Sequence, residues 1–384
     1  MPGLDSLHVA PLRESQQLQA LRGEVRAFIA EELRNGSFRP AIDSWMTSWD
    51  SDFSRRLAKR GWVGMTIPTE YGGHGGSFLD RFVVTEELLA AGAPVTAHWF
   101  SDRQVAPSLL RFGTEMHKRD FLPRIANADI AFAIGMSEPD AGSDLASVQT
   151  KAVRAADGWR VTGTKIWTSH AHRADYAICL VRTSPLDVTH RHSGLSQLII
   201  DLHAEGVTVR PILSLNGEHH FNEVHFDSVH VPDSMVLGQV GEGWHQVTSE
   251  LGYERSGPER FLSVLLLLED LLAAFRAGEL SPDGQFGHLF ARITALHHMS
   301  LGVAGALANH GSPDAAAGVV KHLGTLTEAD ITEYAANLLE PQAGDEDVRR
   351  VSVERALLSR PSFTLRGGTN EILRGVIARE LGLR

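Results

Sequence analysis

Apolar residues recur every three or four positions along the first third of the chain. The stretches LQALRGEVRAFIAEEL and FLDRFVVTEELLAAG both carry this spacing, which is typical of amphipathic helices. Between them, the glycine-rich stretch IPTEYGGHGG indicates a turn. The pattern therefore predicts an α-helical region that ends near residue 130.

The pattern changes between about residues 131 and 240. Here the segments GWRVTGTKIW, ADYAICLVRT, LSQLIIDL, GVTVRPI and NEVHFDSVHVP are short and β-branched or alternating, with Gly, Asp, Ser or Pro between them. Such segments predict consecutive strands of a β-barrel or sandwich, because no helices alternate with them. No G-x-G-x-x-G follows a strand, so a Rossmann dinucleotide site is not indicated.

Helical spacing returns from about residue 241 to the C-terminus. It is carried by LSVLLLLEDLLAAFRA, HLFARITALHHMSLGVAGALA and AAAGVVKHLGTLTEADITEYAANLL, with SPDG and EPQAGDED as breaks. The predicted fold class is therefore α+β. It consists of an N-terminal α-helical domain (1–130), a middle β-barrel or sandwich domain (131–240) and a C-terminal α-helical bundle (241–384).

Composition narrows the class of protein. Of 384 residues, 43% are hydrophobic and 22% charged, as in ordinary globular proteins. A net charge of −11 disfavours a nucleic-acid binder, which needs clustered Lys and Arg. Glu269 and Asp270 interrupt the longest apolar run, so no membrane insertion is expected. The N-terminus lacks the pattern of a secretory signal, and we expect a cytoplasmic protein.

Cysteine and histidine usage points away from thiol and metal chemistry. Cys179 is the only cysteine and lies in the apolar run YAICLV, which predicts a buried strand thiol. The 19 histidines include paired ones, as in SHAH and HRH, but neither Cys partners nor H-E-x-x-H accompany them. No metal site is therefore expected.

Two neighbouring segments carry candidate chemistry. In FAIGMSEPDAGSDLASV, residues Ser137, Gly142 and Ser143 offer hydroxyl and backbone N–H donors, although a plain turn explains this segment alone equally well. GTKIWTSHAHRAD then places Trp167 beside two hydroxyl residues. An indole face next to hydroxyl donors suits a flat heteroaromatic ring with polar edges.

With these segments in place, the chain resembles the acyl-CoA dehydrogenase family of flavoenzymes. Further matching stretches are LAKRGWVGMTIPTEYGG, LRFGTEMHKRDFLPRIANAD, FNEVHFDSVHVPDSMVLGQVGEGW, LGYERSGPERF and GGTNEILRGVIARELGL. The family's domain order of helices, β domain and helical bundle agrees with the order predicted above. Several motifs in the family's order make a specific signal, which any one of them alone would not.

The resemblance implies that FAD lies between the β domain and the C-terminal bundle. The implied cofactor-binding residues are Ile134, Met136, Ser137, Gly142, Ser143, Trp167, Thr168, Ser169, Thr369 and Glu371. The implied substrate contacts are Ser143, Tyr253, Arg255, Gly367 and Gly368. The implied partners are an acyl-CoA substrate, electron-transfer flavoprotein or a similar acceptor, and further subunits of a homo- or hetero-tetramer.

The implied reaction is α,β-dehydrogenation of an acyl thioester, in which a carboxylate removes the α-proton and the β-hydride passes to flavin N5. Many family members carry that carboxylate where this chain has Gly367. Another branch, similar to isovaleryl- and long-chain acyl-CoA dehydrogenases, carries it where this chain has Glu254, in GYERSGPER. Glu254 is therefore the expected base and Glu259 the alternative, whereas a surface Glu–Arg pair is the non-catalytic interpretation. Pro258 would loosen a helix that continued past Glu254.

A second departure concerns the pyrophosphate of FAD. The family's Arg-x-x-Phe-Gly is matched by DGQFG, with Asp283 in place of Arg, and EPQAGDED stands where a Gly-Gly-x-Gly loop is expected. An acidic side chain repels pyrophosphate. Either a paired chain supplies the missing groups, or this chain binds FAD weakly or through other groups.

The sequence is also compatible with two other functions. Relatives on the same fold that lack the carboxylate act as flavin monooxygenases or oxidases, and the presence of Glu254 counts against that class. Alternatively, the chain is a non-catalytic subunit of a heteromeric acyl-CoA dehydrogenase, which the missing Arg would favour.

Overall fold

The computed structural model describes residues 7, 9–255, 257–309, 311, 313–339 and 348–383, with side chains left out at 250–255 and 348–349. These residues form two compact units. The first unit comprises Met1–Trp49, Gly76–Val95 and Gly252–Arg384, and the second comprises Asp50–Gly75 and Thr96–Leu251. The predicted domain boundaries near residues 130 and 240 stay a prediction.

The helices, in chain order, are α1 (Gln16–Arg34), α2 (Ser44–Thr47), α3 (Ser51–Lys59), α4 (Phe78–Ala90), α5 (Thr96–Phe100), α6 (Ala106–Phe112), α7 (Glu115–Ala126), α8 (Gly243–Arg255), α9 (Leu265–Ala277), α10 (Gly284–Ala308), α11 (Asp314–Leu338), α12 (Val348–Phe363) and α13 (Asn370–Glu380). The strands are β1 (Phe132–Gly135), β2 (Lys151–Ala155), β3 (Gly158–Ser169), β4 (Tyr176–Arg182), β5 (Leu195–Asp201), β6 (Val207–Leu213), β7 (His219–Pro232) and β8 (Val236–Leu237). The predicted order of helices, strands and helices is confirmed.

The first unit is helical, with α11 at its centre. Helix α11 contacts α9, α10, α12 and α13, while α4 contacts α1 and α10. The core of the first unit is a cluster of buried residues that includes Val264, Leu271, Phe286, Ile331, Ala356 and Phe363. Side-chain caps define where its helices begin: Ser77 and Asp80 form a capping box at α4. Such caps satisfy N–H groups that have no partner within the helix.

The second unit is built around one mixed sheet of eight strands. The strand order is β6-β7-β3-β2-β4-β5-β8, and β1 pairs with β4 in parallel. The strands β4 and β5 are buried almost throughout, whereas β7 alternates between buried and half-buried positions along most of its length. Continuous burial is typical of strands covered on both faces. Cys179 lies in β4, and burial raises the pKa of its thiol to about 12, as expected for a buried strand thiol.

Helices of the second unit fix the start of β1, the strand that leads into the first candidate segment. A π-helix spans Ser101–Val105 between α5 and α6. Within it, the Ser101 hydroxyl accepts from the Phe132 N–H at 2.8 Å, and the Asp102 carboxylate accepts from the Gly64 N–H at 2.9 Å. The irregular helix thus anchors both β1 and the turn at Gly64. No helix among the described residues is long and apolar enough to cross a membrane.

Candidate functional site

Beyond β1, the chain forms a turn that closes on itself. The Glu138 N–H donates to the Ala141 carbonyl at 2.9 Å, and the Ala141 N–H donates back to the Glu138 carbonyl at 3.0 Å. Gly142 and Ser143 follow and are exposed. A Cβ placed on Gly142 would meet nothing within 4 Å, so this end of the turn is open to a ligand.

The second candidate segment is a bulge in β3. The pairing of β3 with β7 shifts register between Lys165 and Thr168, and Trp167 takes the left-handed φ of 59°. β-bulges of this kind re-aim side chains. The Trp167 indole is 54% exposed and meets the Phe221 ring edge-on, at 5.7 Å between centroids. A large aromatic face is thus presented at the surface of the second unit.

Thr168 follows Trp167 and faces inward. Its carbonyl accepts from the Asn222 side-chain amide at 2.9 Å, but within the described part of the chain its buried hydroxyl has no hydrogen-bond partner. Leaving a buried hydroxyl unsatisfied costs about 1–3 kcal/mol. Because that hydroxyl is enclosed by protein atoms, the exposed Trp167 indole is the part of the bulge that can meet the face of a flavin ring.

The structure brings these two segments together. The Ile166 N–H donates to the Ser137 carbonyl at 2.9 Å, so Met136 and Ser137 lie beside the bulge at Ile166–Trp167. Ile134 and Met136 are half-buried against apolar clusters of the second unit. Met136, Ser137 and the bulge that presents Trp167 are therefore neighbours, and the ligand contacts of the other predicted residues of this unit stay a prediction.

In the first unit, the C-terminal loop that carries Gly367 and Gly368 is held from behind by a buried lysine. Both glycines have left-handed φ angles, of 66° and 83°. The Lys321 ammonium donates to the carbonyls of Thr364 and Gly368, at 3.1 and 2.7 Å, and to the Asn370 side chain at 2.8 Å. Three acceptors match the three N–H donors of a lysine. The loop therefore has a defined shape.

Thr369 and Glu371 lie where this loop enters α13. Thr369 is the N-cap residue, and its hydroxyl oxygen accepts from the Ile372 N–H at 3.4 Å. Glu371 is exposed in the first turn. The hydroxyl of Thr369 thus has a capping role, and its predicted approach to the cofactor stays a prediction, as does that of Glu371.

Beneath Gly367 lies a buried cation that sequence reasoning missed. A Cβ built on Gly367 would lie 3.0–3.2 Å from the guanidinium of Arg260, which is 2% exposed. The guanidinium lies 5.4 Å from the centroid of the Trp45 ring. Its Nε is 3.9 Å from the carboxylate of Glu259, the alternative base, which is itself buried. The position where related chains carry a glutamate therefore faces an arginine here.

A glutamate at Gly367 is expected to pair with Arg260 instead of acting as a base. The Gly367→Glu variant should not restore flavin reduction to a Glu254→Gln chain, because a neighbouring cation lowers the pKa of a carboxylate. The left-handed φ should also cost about 1–2 kcal/mol of stability. Stopped-flow reduction and thermal unfolding measure the two effects. Gly367→Ala is the matched control, since it carries the backbone cost without the carboxylate. A restored reduction rate would contradict the expectation.

The expected base lies at the end of α8. That helix ends at Arg255, and Pro258 opens a separate 3-10 turn, Pro258–Arg260, so Pro258 does not interrupt the helix. The side chains of Tyr253, Glu254 and Arg255 lie outside the described residues. Their proposed roles therefore rest on the sequence.

Asp283 has a structural role in the first unit. Its carboxylate caps α10, accepting from the Phe286 N–H at 2.9 Å and from the Tyr334 hydroxyl at 2.9 Å. These hydrogen bonds lower the pKa of Asp283, so it is a carboxylate at neutral pH. In the described residues, no group of three His, Cys, Asp or Glu side chains could hold a metal ion.

Comparison with known proteins gives consistent matches along the chain. The family descriptions are Acyl-CoA dehydrogenase, N-terminal domain, at residues 15–129, middle domain at 133–229 and C-terminal domain at 283–382. A curated relative, acyl-CoA dehydrogenase IpdE1 of Mycobacterium tuberculosis, is 32% identical over 96% of this chain and 98% of the relative. Several other curated relatives are matched over only 45% to 64% of their own length.

Two solved structures are similar over nearly their whole length. The one named Tcur3481-Tcur3483 steroid ACAD has a TM-score of 0.86 and 31% identity, over 97% of this chain and 99% of that chain. The ChsE4-ChsE5 complex from Mycobacterium tuberculosis has a TM-score of 0.82 and 30% identity, over 98% and 99%.

Proposed function

Because the chain belongs to the acyl-CoA dehydrogenase family of FAD-dependent oxidoreductases, we propose that it catalyses α,β-dehydrogenation of an acyl-CoA thioester. The observation that carries the proposal is the bulge of β3, where a 54% exposed indole is presented beside the segment that contains Ser137. Bound FAD supplies a two-electron acceptor. Its proposed contacts in this chain are Ile134, Met136, Ser137, Gly142, Ser143, Trp167, Thr168, Ser169, Thr369 and Glu371.

Glu254 is the proposed base. A glycine at position 367 has no proton acceptor, and Arg260 lies against that position, which supports a base elsewhere. The α-proton of a thioester is only weakly acidic, so its removal needs a positioned carboxylate and donors that polarise the thioester oxygen. Gly367 and Gly368 are proposed substrate contacts on the C-terminal loop. Ser143, Tyr253 and Arg255 are the remaining proposed substrate contacts.

The proposed acyl group is a bulky, steroid-type one. This proposal is supported by the similarity to the steroid ACAD, at 31% identity over 97% of this chain. The alternative is a shorter straight or branched chain.

The proposed assembly is a heteromer. Asp283 stands where the family's pyrophosphate-binding Arg is expected, and its carboxylate is engaged in capping α10. A partner chain would then supply the missing cation, and the similarity to the ChsE4-ChsE5 complex supports this arrangement. Electron-transfer flavoprotein or a similar protein is the proposed electron acceptor.

Anaerobic reduction of the purified flavoprotein tests the proposal. Straight-chain, branched and steroid-side-chain acyl-CoA thioesters are mixed with it, and loss of flavin absorbance is followed. We expect the steroid thioester to reduce the flavin fastest. Native mass and flavin content per chain of the same preparation test the heteromer. Flavin turnover with oxygen that needs no acyl-CoA would contradict the dehydrogenase and favour an oxidase or monooxygenase.

A further inference from the structure

Lys165 is a lysine in the interior of the second unit. It lies on β3 and is fully buried. Its ammonium donates to the Glu138 carboxylate at 2.8 Å and to the Met136 carbonyl at 3.0 Å. Lysine is almost never fully buried without a charged partner. The burial of Lys165 therefore has to be explained by the groups that accept hydrogen bonds from its ammonium.

Glu138 is the second half of the arrangement. One carboxylate oxygen accepts from Lys165 and from the Thr150 N–H at 2.9 Å, and the other accepts from the Gln149 N–H at 2.6 Å. Burial opposes ionisation of Glu138, but Lys165 and these donors outweigh it and lower its pKa. The carboxylate is therefore charged and held by donors from two different segments.

The pair connects the two segments that make up the candidate flavin site of this unit. Lys165 immediately precedes the bulge that presents Trp167, and its ammonium reaches the backbone of Met136 in the other segment. The Ile166 N–H adds a backbone bond to Ser137. Moving either segment would therefore break bonds of the buried pair.

Stability alone does not account for such a pair. Two buried charges lose so much hydration that replacing them with well-packed apolar residues is often neutral or stabilising. What an ion pair provides, and an apolar contact does not, is a fixed direction and distance between its groups.

We propose that Lys165 and Glu138 are positioning residues, which hold the backbone of Met136 and Ser137 against the Ile166–Trp167 bulge of β3, and that FAD binding depends on this arrangement. This inference rests on the proposed function, because it concerns the same flavin site. Neither side chain needs to touch the flavin; each acts through the segments that it joins.

The test is FAD binding by the apoprotein, in the oligomer in which the protein is isolated. The variants are Lys165→Met and Glu138→Gln, and Glu138→Asp, which keeps the charge but shortens the side chain. We expect each to weaken FAD binding by about tenfold or more, the effect of roughly one lost hydrogen bond to the ligand. Because these variants bind FAD more weakly, FAD should also raise their melting temperature by less than it raises that of the unaltered chain. Val231→Ala, a buried change on β7 away from the pair, is the matched control and should bind FAD as the unaltered chain does.

The outcomes separate this inference from the function on which it rests. If Glu138→Asp lowers the melting temperature of apo and FAD-bound protein equally and leaves the FAD dissociation constant within about twofold, the pair is only structural and the inference is wrong. If the unaltered chain itself binds no FAD, the proposed function fails and the positioning role fails with it. Should Lys165→Met not fold, Glu138→Asp still decides.

Discussion

A Glu254→Gln chain is expected to reduce its flavin about 10²–10⁴ times more slowly than the unaltered chain, the range of a lost general base. Glutamine matches glutamate in shape but cannot accept the α-proton. Substrate binding should change little, so the loss should fall on the rate of reduction at saturating acyl-CoA. Anaerobic stopped-flow mixing with the best thioester of the panel measures that rate.

Two further variants make the result specific to Glu254. Glu354→Gln makes the same chemical change at an exposed position of α12 and should reduce flavin at the normal rate. Glu259→Gln tests the alternative base. Glu259 is buried beside Arg260, so its loss should affect stability more than the rate. If Glu259→Gln stops reduction and Glu254→Gln does not, Glu259 is the base.

The main strands could be predicted from the sequence because each contains its own periodic pattern. The segments ADYAICLVRT and NEVHFDSVHVP, for example, became β4 and β7. The short strands β1, β2 and β8 were not predicted. Two of them form through pairing with strands distant in the sequence, β1 with β4 and β8 with β5, whereas β2 forms a hairpin with β3. Such pairing context outweighs local propensity.

The candidate site could be predicted only where a motif marks it. Gly367, Gly368 and Trp167 stand out in their segments, and their left-handed φ angles agree with turn and bulge positions. Lys165 and Lys321 gave no such signal, because a lysine in a strand or helix normally lies in water. Their burial depends on acceptors from other segments, which no local pattern reveals.

Asp283 is a residue that the sequence did single out, but whose structural role could not be predicted. The sequence identified it as an acidic residue in place of an expected arginine, and so as a repulsive group. The structure adds that it caps α10 and accepts from Tyr334. From the sequence, Asp283 could only be described as lacking the pyrophosphate contact of an arginine. Its role as the cap of α10 is visible only in the structure.

A buried ion pair lies next to the C-terminal loop of the first unit. The guanidinium of Arg366, the residue before Gly367, donates to both carboxylate oxygens of Asp43 at 2.8 Å. Both side chains are at most 9% exposed, and Arg366 also stacks over the Trp45 ring at 4.7 Å. Burial raises the pKa of Asp43, and Arg366 opposes that shift. The pair therefore fixes the start of the loop to α2.

Asp43→Asn is expected to lower the free energy of unfolding by about 3–5 kcal/mol, the usual cost of removing one partner from a buried ion pair. Asparagine keeps the shape, but the arginine left behind cannot lose its proton and stays charged without its carboxylate. Urea unfolding followed by far-UV circular dichroism measures the loss. Glu333→Gln is the matched control: its partner Arg360 is also 2.8 Å away, but the side chains are 56% and 40% exposed, so its removal should cost less than about 1 kcal/mol. Equal losses in the two variants would contradict the expectation that burial sets the strength of the Asp43–Arg366 pair.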